Sequence, residues 1–210
     1  GEYKLMGLAP YGEPKYVDLI FDNLLDLKED GTFRLDMSYF SFATGLTMTN
    51  SKFDRLFGGP PRKEESEITQ REMDLARSIQ KVTEEIILKV VATIHKELDV
   101  DYLCLAGGVA LNCVANGRVL REGPFKDIWV QPAAGDSGGS LGAAFSVWHE
   151  YLNNPRNVEG NNDSMQGSYL GNHFTNDEIK SYLDQVSGVS TAIKGLKLMP
   201  SLAKILSEGN

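Results

Sequence analysis

The chain contains little cysteine, with only Cys104 and Cys113 among 210 residues. Two cysteines nine positions apart match neither a disulfide framework nor a metal-ligand spacing. Cys104 lies in a short apolar run, and we expect it to behave as a small buried hydrophobe. Free thiols are typical of a reducing compartment, so the sequence favours a cytoplasmic protein.

Basic residues are also fewer than acidic residues. Lys and Arg number 21 against 29 Asp and Glu, which gives a net charge of -8. This balance predicts no basic face over the chain as a whole, so we expect no nucleic-acid partner. No apolar run approaches the roughly 20 residues that a membrane span needs, and residues 1–12 lack the layout of a signal peptide. We therefore expect no membrane partner.

Histidine is scarce, and His95, His149 and His173 show no HxxxH spacing. Transition-metal sites typically use imidazole ligands, so such a site within this chain would be incomplete. The sequence suggests no Ser/His/Asp or Cys/His nucleophile set either. Catalytic residues are therefore not predicted.

Hydrophobic residues make up 41% of the chain, enough for the core of one sizeable domain or two small ones. Residues 1–12 contain several glycines and a proline, and we expect a loop-rich edge there. Pro14 favours the first turn of a helix that continues to about Leu27. Asp30-Gly31 is a strong turn signal and predicts a short hairpin between residues 25–27 and 32–35.

The longest periodic segment runs from about Gln70 to Leu98. It opens with Thr69 and Glu72 in capping-box spacing, and charged residues lie opposite an apolar stripe. The stripe consists of Leu75, Ile79, Val82, Ile86, Val90 and Ile94. This pattern predicts a long amphipathic helix packed on a sheet.

The order of the later elements is β-α-β-α, which indicates an α/β fold with buried, parallel strands. Residues 153–168 are polar and predict a linker. The elements are a strand at 102–106, a helix at 111–121, a strand at 128–131 and a helix at 139–151, then a helix at 175–186, a strand at 190–193 and a helix at 200–207.

The turn Gly107-Gly108-Val109-Ala110-Leu111-Asn112 follows a predicted strand and precedes a helix. Glycine lets the backbone approach a ligand, and the first N–H groups of a helix attract an anion such as phosphate. The turn matches neither GxGxxG nor GxxxxGK[ST], and an ordinary βα turn is the alternative. Asn112 could hydrogen-bond a ribose or cap the helix.

A second glycine-rich loop, Gly135-Asp136-Ser137-Gly138-Gly139, follows the next strand. A lone acid among glycines suits an oxygen-ligated metal or a phosphate-bound Mg²⁺, and the alternative is an Asp that caps the following helix. Two such loops at neighbouring strand ends favour a nucleotide site. Lys4 could also reach a phosphate, although most lysines in loops are simply solvated.

Three motifs, in this order, resemble the O-carbamoyltransferases of the nodulation and antibiotic-biosynthesis type. They are GEYKLMGLAPYG (1–12), LAGGVALNCVANGRV (105–119) and PAAGDSGGSLGAA (132–144). The likeness covers essentially the whole chain, including SYLGNHFTNDEI (168–179). The tRNA threonylcarbamoyladenosine transferases are more distantly similar and share the Gly-Gly turn with its Asn and the metal-binding Asp.

The resemblance implies a ribonuclease H-like fold of the actin, Hsp70 and sugar-kinase type, with a mixed sheet flanked by helices. Residues 1–152 would be the second subdomain of the transferase domain. Residues 153–168 would be a linker, and residues 169–210 would lead toward a C-terminal adenylate-forming domain.

The implied activity passes a carbamoyl group from carbamoyl-adenylate to a hydroxyl of a small-molecule acceptor. The adenylate would be made from carbamoyl phosphate and ATP by the C-terminal domain. Carbamoyl transfer passes through an oxyanion, which a metal could stabilise as a Lewis acid. Two alternatives stay open: a sugar-kinase-like phosphotransferase of the same fold and a non-catalytic nucleotide-binding module.

The resemblance also assigns site residues. Asp136 would ligate a divalent metal, iron by this likeness, and its histidine partners would precede Gly1. The residues assigned to ATP or carbamoyl-adenylate are Gly107, Gly108, Val109 and Asn112, with Gly135 and Ser140 lining the site and Lys4 or Glu2 facing it. Both ends resemble cuts in a longer chain, so we expect the 210 residues by themselves to be inactive.

Overall fold

The structure is a computed structural model that describes residues 2–157, 165–187, 193 and 195–209. The chain divides into two compact units, residues 1–160 and residues 161–210, and each is described by itself. The division falls inside the segment that the sequence predicts as a linker. No helix among the described residues is both long and apolar enough to cross a membrane.

The first unit alternates helices with short strands. Its elements are α1 (Glu2–Leu8), α2 (Val17–Asn23), β1 (Leu25–Leu27), β2 (Phe33–Leu35), α3 (Ser51–Leu56), α4 (Gln70–Leu98), β3 (Tyr102–Leu105), α5 (Cys113–Glu122), β4 (Asp127–Val130) and α6 (Asp136–Phe145). A π-helical turn, Ser146–Tyr151, continues α6. Short 3-10 helices connect several elements: Ala9–Tyr11, Met37–Tyr39 and Gly108–Leu111.

Helix α4 is the central element of this unit. Its 29 residues match the predicted bounds, and the Glu72 carboxylate accepts from both the backbone N–H and the hydroxyl of Thr69, at 2.9 and 2.6 Å. The helix contributes to two apolar clusters, through Val82 in one and Val91 in the other. It therefore joins the hairpin half of the unit to the half that carries the glycine loops.

Between its apolar residues, α4 also buries polar side chains, which the amphipathic pattern did not predict. Asp74 accepts from Glu13 N–H at 2.8 Å and from Lys15 Nζ at 2.6 Å. Ser78 Oγ accepts from Tyr16 N–H at 3.0 Å. These bonds hold residues 13–16 against α4 as a loop.

The N-terminal predictions were partly wrong. Residues 2–8 form helix α1 where a loop-rich edge was expected. Helix α2 starts at Val17, since the preceding loop is anchored on α4, and it ends at Asn23 short of the predicted Leu27. The hairpin is confirmed: β1 pairs antiparallel with β2, and Thr32 N–H donates to Asp30 Oδ1 at 2.9 Å in the turn.

Strands β3 and β4 pair in parallel, as predicted, with Leu103 opposite Ile128. Leu103 packs with Val119 and Phe125 in the cluster that includes α4 and α5. The described residues form two separate two-stranded sheets, one antiparallel and one parallel.

Cys104 is exposed, which corrects the prediction of a buried thiol. Successive side chains of a strand point to opposite faces, so Cys104 lies on the face away from Leu103. Tyr102 and Trp129 share that exposed face. The cysteines are free, and Cys113 Sγ lies 3.9 Å from Met6 Sδ on α1.

The second unit contains α7 (Asn176–Gln185) and α8 (Leu198–Ser207), both close to their predicted positions. The predicted capping box is present, because Thr175 and Glu178 exchange hydrogen bonds. The strand predicted at 190–193 falls largely outside the described residues, and so does the middle of the linker, residues 158–164.

Candidate functional site

The two glycine loops begin at the same edge of the β3–β4 pair, because parallel strands present their carboxyl ends together. The backbone N–H of Gly107 donates to the carbonyl of Ala134 at 2.8 Å. One step earlier, Gln131 N–H donates to the carbonyl of Leu105 at 3.0 Å. The parallel ladder thus continues past the strands and joins the two loops to each other.

The first loop needs glycine at its first position. Gly107 has φ 100° and ψ 162°, a region of backbone conformation that is essentially restricted to glycine. It is followed by the 3-10 helix Gly108–Leu111, in which Ala110 N–H donates back to the Gly107 carbonyl at 3.0 Å. Within the described chain, the N–H groups of Gly108 and Val109 donate to no protein acceptor. These two groups are therefore available to an anionic ligand.

Asn112 caps helix α5, which is one of the two roles considered for it. Its Oδ1 accepts from the backbone N–H of Ala115 at 3.1 Å. The same side chain pairs with Gln80 of α4: Asn112 Nδ2 donates to Gln80 Oε1 at 2.9 Å, and Gln80 Nε2 donates to Asn112 Oδ1 at 3.1 Å. The end of the first loop is thus fixed to the central helix.

The hydrogen-bond network continues beyond Gln80. Gln80 is 2% exposed and donates from Nε2 to Glu84 Oε1 at 2.8 Å. Arg118 of α5 donates to Glu84 Oε2 at 3.0 Å and pairs in a bidentate manner with Glu122. The two carboxylates, Glu122 first and Glu84 second, raise the pKa of Arg118 above its usual value. This polar network, buried at Gln80 and Glu84 and exposed at Glu122, therefore links α5 to α4.

The second loop leads directly into α6. Gly135 is the N-cap residue and Asp136 is the first helical residue, so Asp136 does not cap the helix as the alternative interpretation supposed. Its carboxylate is exposed and accepts no hydrogen bond from the described residues. Ser140 is exposed as well, and its hydroxyl donates to the carbonyl of Ser137 at 3.0 Å.

The described residues do not bring a set of metal ligands together. Among the described residues, no group of three or more His, Cys, Asp or Glu side chains is arranged to hold a metal ion. His95 packs edge-on against Phe125, with ring centroids 5.2 Å apart, and His149 Nδ1 lies 3.1 Å from the carbonyl of Asn154. Asp136 can supply one oxygen ligand, and an iron site would need ligands from elsewhere.

Lys4 lies on α1 and lines a different cavity, an apolar groove of about 1070 Å³. No residue of either glycine loop lines this groove. Leu5, Phe42 and Met48 contribute exposed apolar surface to it. Glu2, the other residue considered on this segment, is the first residue of α1.

Sequence reasoning missed Gln80, Glu84 and Arg118. Gln80 and Glu84 are one helical turn apart, and such i, i+4 polar pairs are also typical of a solvated helix face. The one hint was the length of α4. A helix that packs in two apolar clusters must bury side chains outside a single apolar stripe.

Residues 1–145 match the family model described as carbamoyltransferase N-terminus. The match includes both glycine loops, the central helix and the Gln80–Asn112 pair. The chain therefore belongs to the carbamoyltransferase family, which confirms the resemblance noted from its three motifs.

Several relatives are similar to parts or all of the chain. It is 64% identical over 212 residues to the uncharacterized protein sll1178 of Synechocystis sp. The aligned region covers all of this chain and 34% of that protein. It is 38% identical over 171 residues to nodulation protein NolO of Bradyrhizobium diazoefficiens, covering 81% of this chain and 29% of NolO. Nodulation protein NolNO of Sinorhizobium fredii is 40% identical over 149 residues, covering 71% of this chain and 20% of NolNO. The chain thus spans about a third or less of the length of these relatives.

Proposed function

We propose that this chain is part of an O-carbamoyltransferase that moves a carbamoyl group from carbamoyl-adenylate to a hydroxyl of a small-molecule acceptor. The observation that supports this most is the hydrogen bond from Gly107 to Ala134, which joins two glycine loops at one strand edge in a carbamoyltransferase-family domain. Open backbone N–H groups at that edge suit the phosphate of an adenylate. The overall architecture proposed for the domain is ribonuclease H-like.

In the transfer step, the acceptor oxygen attacks the carbamoyl carbon and a new C–O bond forms. The bond between that carbon and the phosphate oxygen of AMP breaks, AMP leaves with the electron pair, and the acceptor hydroxyl loses its proton. In this proposal the N–H groups of Gly108 and Val109, at the start of the 3-10 helix, would bind the phosphate and so stabilise the charge that the leaving group gains.

Adenylate binding, metal ligation and adenylate synthesis would be divided among parts of a longer protein. This chain would contribute the loops that bind the adenylate, and Asp136 would contribute one ligand to a divalent metal, proposed to be iron. Such a metal would supply Lewis-acid chemistry to the carbamoyl oxygen when bound. A C-terminal domain would make the adenylate from carbamoyl phosphate and ATP.

The test uses the complete protein with carbamoyl phosphate, with and without ATP. We expect carbamoyl phosphate consumption that depends on ATP, and calorimetric binding of both ATP and AMP. A protein that binds no adenine nucleotide would contradict the proposal. Phosphate transfer from ATP to a sugar, with no use of carbamoyl phosphate, would identify a phosphotransferase of the same fold. Nucleotide binding without any turnover over a panel of hydroxyl acceptors would indicate a non-catalytic binding module.

A further inference from the structure

The direction of the amide pair between Asn112 and Gln80 is fixed at both of its ends. At one end, the backbone N–H of Ala115 can only donate, so the atom of Asn112 that faces it must be the oxygen. At the other end, the Glu84 carboxylate accepts from Gln80, so the atom of Gln80 that faces it must be the nitrogen. Neither amide can flip without placing two donors or two acceptors against each other.

The pair leaves one hydrogen-bonding group of Asn112 unused. A side-chain amide has two acceptor lone pairs and two N–H donors. Asn112 Oδ1 already accepts from Ala115 and from Gln80, and one N–H of Nδ2 donates to Gln80. Within the described chain, the second N–H of Asn112 Nδ2 has no protein acceptor. This side chain can therefore hydrogen-bond a ligand only by donating to an acceptor atom of that ligand.

Gln80 itself has no free donor. Both N–H groups of its Nε2 are used, one toward Asn112 and one toward Glu84, and it is almost completely buried. It cannot act as a ligand-binding residue while this network is intact. Its effect on a ligand must pass through Asn112.

We infer that Gln80 is a positioning residue for the nucleotide site. It holds the amide of Asn112 in the one orientation that offers its remaining N–H to an oxygen of the bound nucleotide, either a phosphate or a ribose oxygen. The inference rests on the proposed function, since it assigns the ligand of the Gly107–Asn112 loop. It adds a residue 32 positions away in sequence, on a different helix, to the determinants of that site.

The main test is calorimetric binding of AMP to the complete protein and to Gln80→Met. Methionine keeps the length and burial of the side chain but removes both hydrogen bonds to Asn112. We expect AMP binding to weaken about tenfold, the effect of losing one well-placed hydrogen bond to the ligand. AMP binding equal to that of the wild type, in a folded variant, would overturn the inference.

Ser78→Ala is the matched control. Ser78 is buried two residues away on α4, and its hydroxyl bonds to Tyr16 and to the Asp74 carbonyl on the side of α2, away from the loop. We expect this variant to lose stability while it binds AMP like the wild type. If Ser78→Ala weakened AMP binding as much as Gln80→Met, the effect would be one of general stability and the inference would fail.

A double-mutant cycle distinguishes an effect of Gln80 on the orientation of the Asn112 amide from a general effect of Gln80 on the fold. If Gln80 acts through Asn112, then Gln80→Met should change AMP binding less than twofold in an Asn112→Ala background. A full tenfold effect in that background would overturn the inference. A wild-type protein that fails to bind AMP would instead overturn the proposed function, and the inference with it, so the two failures are distinguished by the wild-type measurement alone.

Discussion

The backbone N–H of Gly107 lies 2.8 Å from the carbonyl oxygen of Ala134. This bond connects two loops that are separated by a helix and a strand in sequence. From this bond the chain turns into the 3-10 helix Gly108–Leu111 through the unusual backbone conformation of Gly107, with φ at 100°. The geometry of the candidate site therefore depends on the identity of one residue that has no side chain.

Gly107→Ala is expected to destabilise the protein by about 1–3 kcal/mol, because a Cβ is strained in this backbone region. The cost should come from the backbone alone, since no heavy atom of the described residues lies within 4 Å of the position that the Cβ would occupy. Chemical denaturation would measure it. Gly139→Ala is the control, because Gly139 lies inside α6 with open space around it, and alanine there should stabilise by up to about 1 kcal/mol. Equal effects of the two substitutions would contradict the strain argument.

Asp136→Asn is expected to lower the metal content of the complete protein, since an amide is a poorer metal ligand than a carboxylate. Metal analysis after purification and dialysis would measure the change. Asp127→Asn is the matched control, because Asp127 lies at the opposite end of β4, where, among the residues that the structure describes, its Oδ1 accepts only from the Ile128 N–H. Unchanged metal content in Asp136→Asn would remove Asp136 as a ligand.

Asp74 should make stability depend on pH in the acid range. The N–H of Glu13, followed by Lys15 and Gln70, lowers the pKa of Asp74 from 3.8 to about 2. A lowered folded-state pKa adds stability that is complete above the unfolded value and is lost as the pH falls through about 4 toward 2. Asp74→Asn should therefore differ most from the wild type in denaturation midpoint at pH 7 and least near pH 2.

The control for the pH dependence of Asp74→Asn is a substitution at a residue whose side chain does not titrate. Ser78→Ala removes a buried bond from the same side of α4, yet its hydroxyl carries no charge at any of these pH values. Its difference from the wild type should stay constant between pH 7 and pH 3. If the Asp74→Asn difference were equally constant, the Asp74 carboxylate would not be the source of the acid dependence.

Thr69→Ala is expected to cost about 1 kcal/mol, because it removes half of the capping box at the start of α4. The Thr69 hydroxyl is also the main cause that lowers the pKa of Glu72 to about 2. Thr47→Ala is a suitable control, since the exposed Thr47 hydroxyl has the Thr49 carbonyl as its one hydrogen-bond partner in the described part of the chain. A loss no larger than that of the control in thermal denaturation would show that the cap does not stabilise α4.

Local signals predicted the elements that depend on local chemistry. The capping box at Thr69 and a continuous apolar stripe gave both ends of α4, and the turn chemistry of Asp30-Gly31 gave the hairpin. The parallel pairing of β3 and β4 followed from two apolar runs separated by a helix. These features need no knowledge of distant contacts.

The predictions failed where distant residues decide the outcome. Asp74 holds Glu13 and Lys15 in a loop, so the helix expected from Pro14 starts three residues later. Cys104 was predicted to be buried because the residues around it are apolar. Among the described residues, however, the core covers the Leu103 face of that strand and leaves Cys104 exposed. Gln80 was not singled out at all, because nothing in the local sequence shows that Asn112 pairs with it.

The buried polar residues of α4 also limit how this helix can move. Asp74 and Ser78 anchor one stretch of chain, and Gln80 and Glu84 anchor another. Turning or sliding α4 by a single residue would break both sets of bonds together, and each broken bond would leave a polar group stranded in the interior. The buried hydrogen bonds therefore fix both the rotation and the axial position of α4. A ligand that shifts the glycine loops must carry α4 along as a rigid body or leave it where it is.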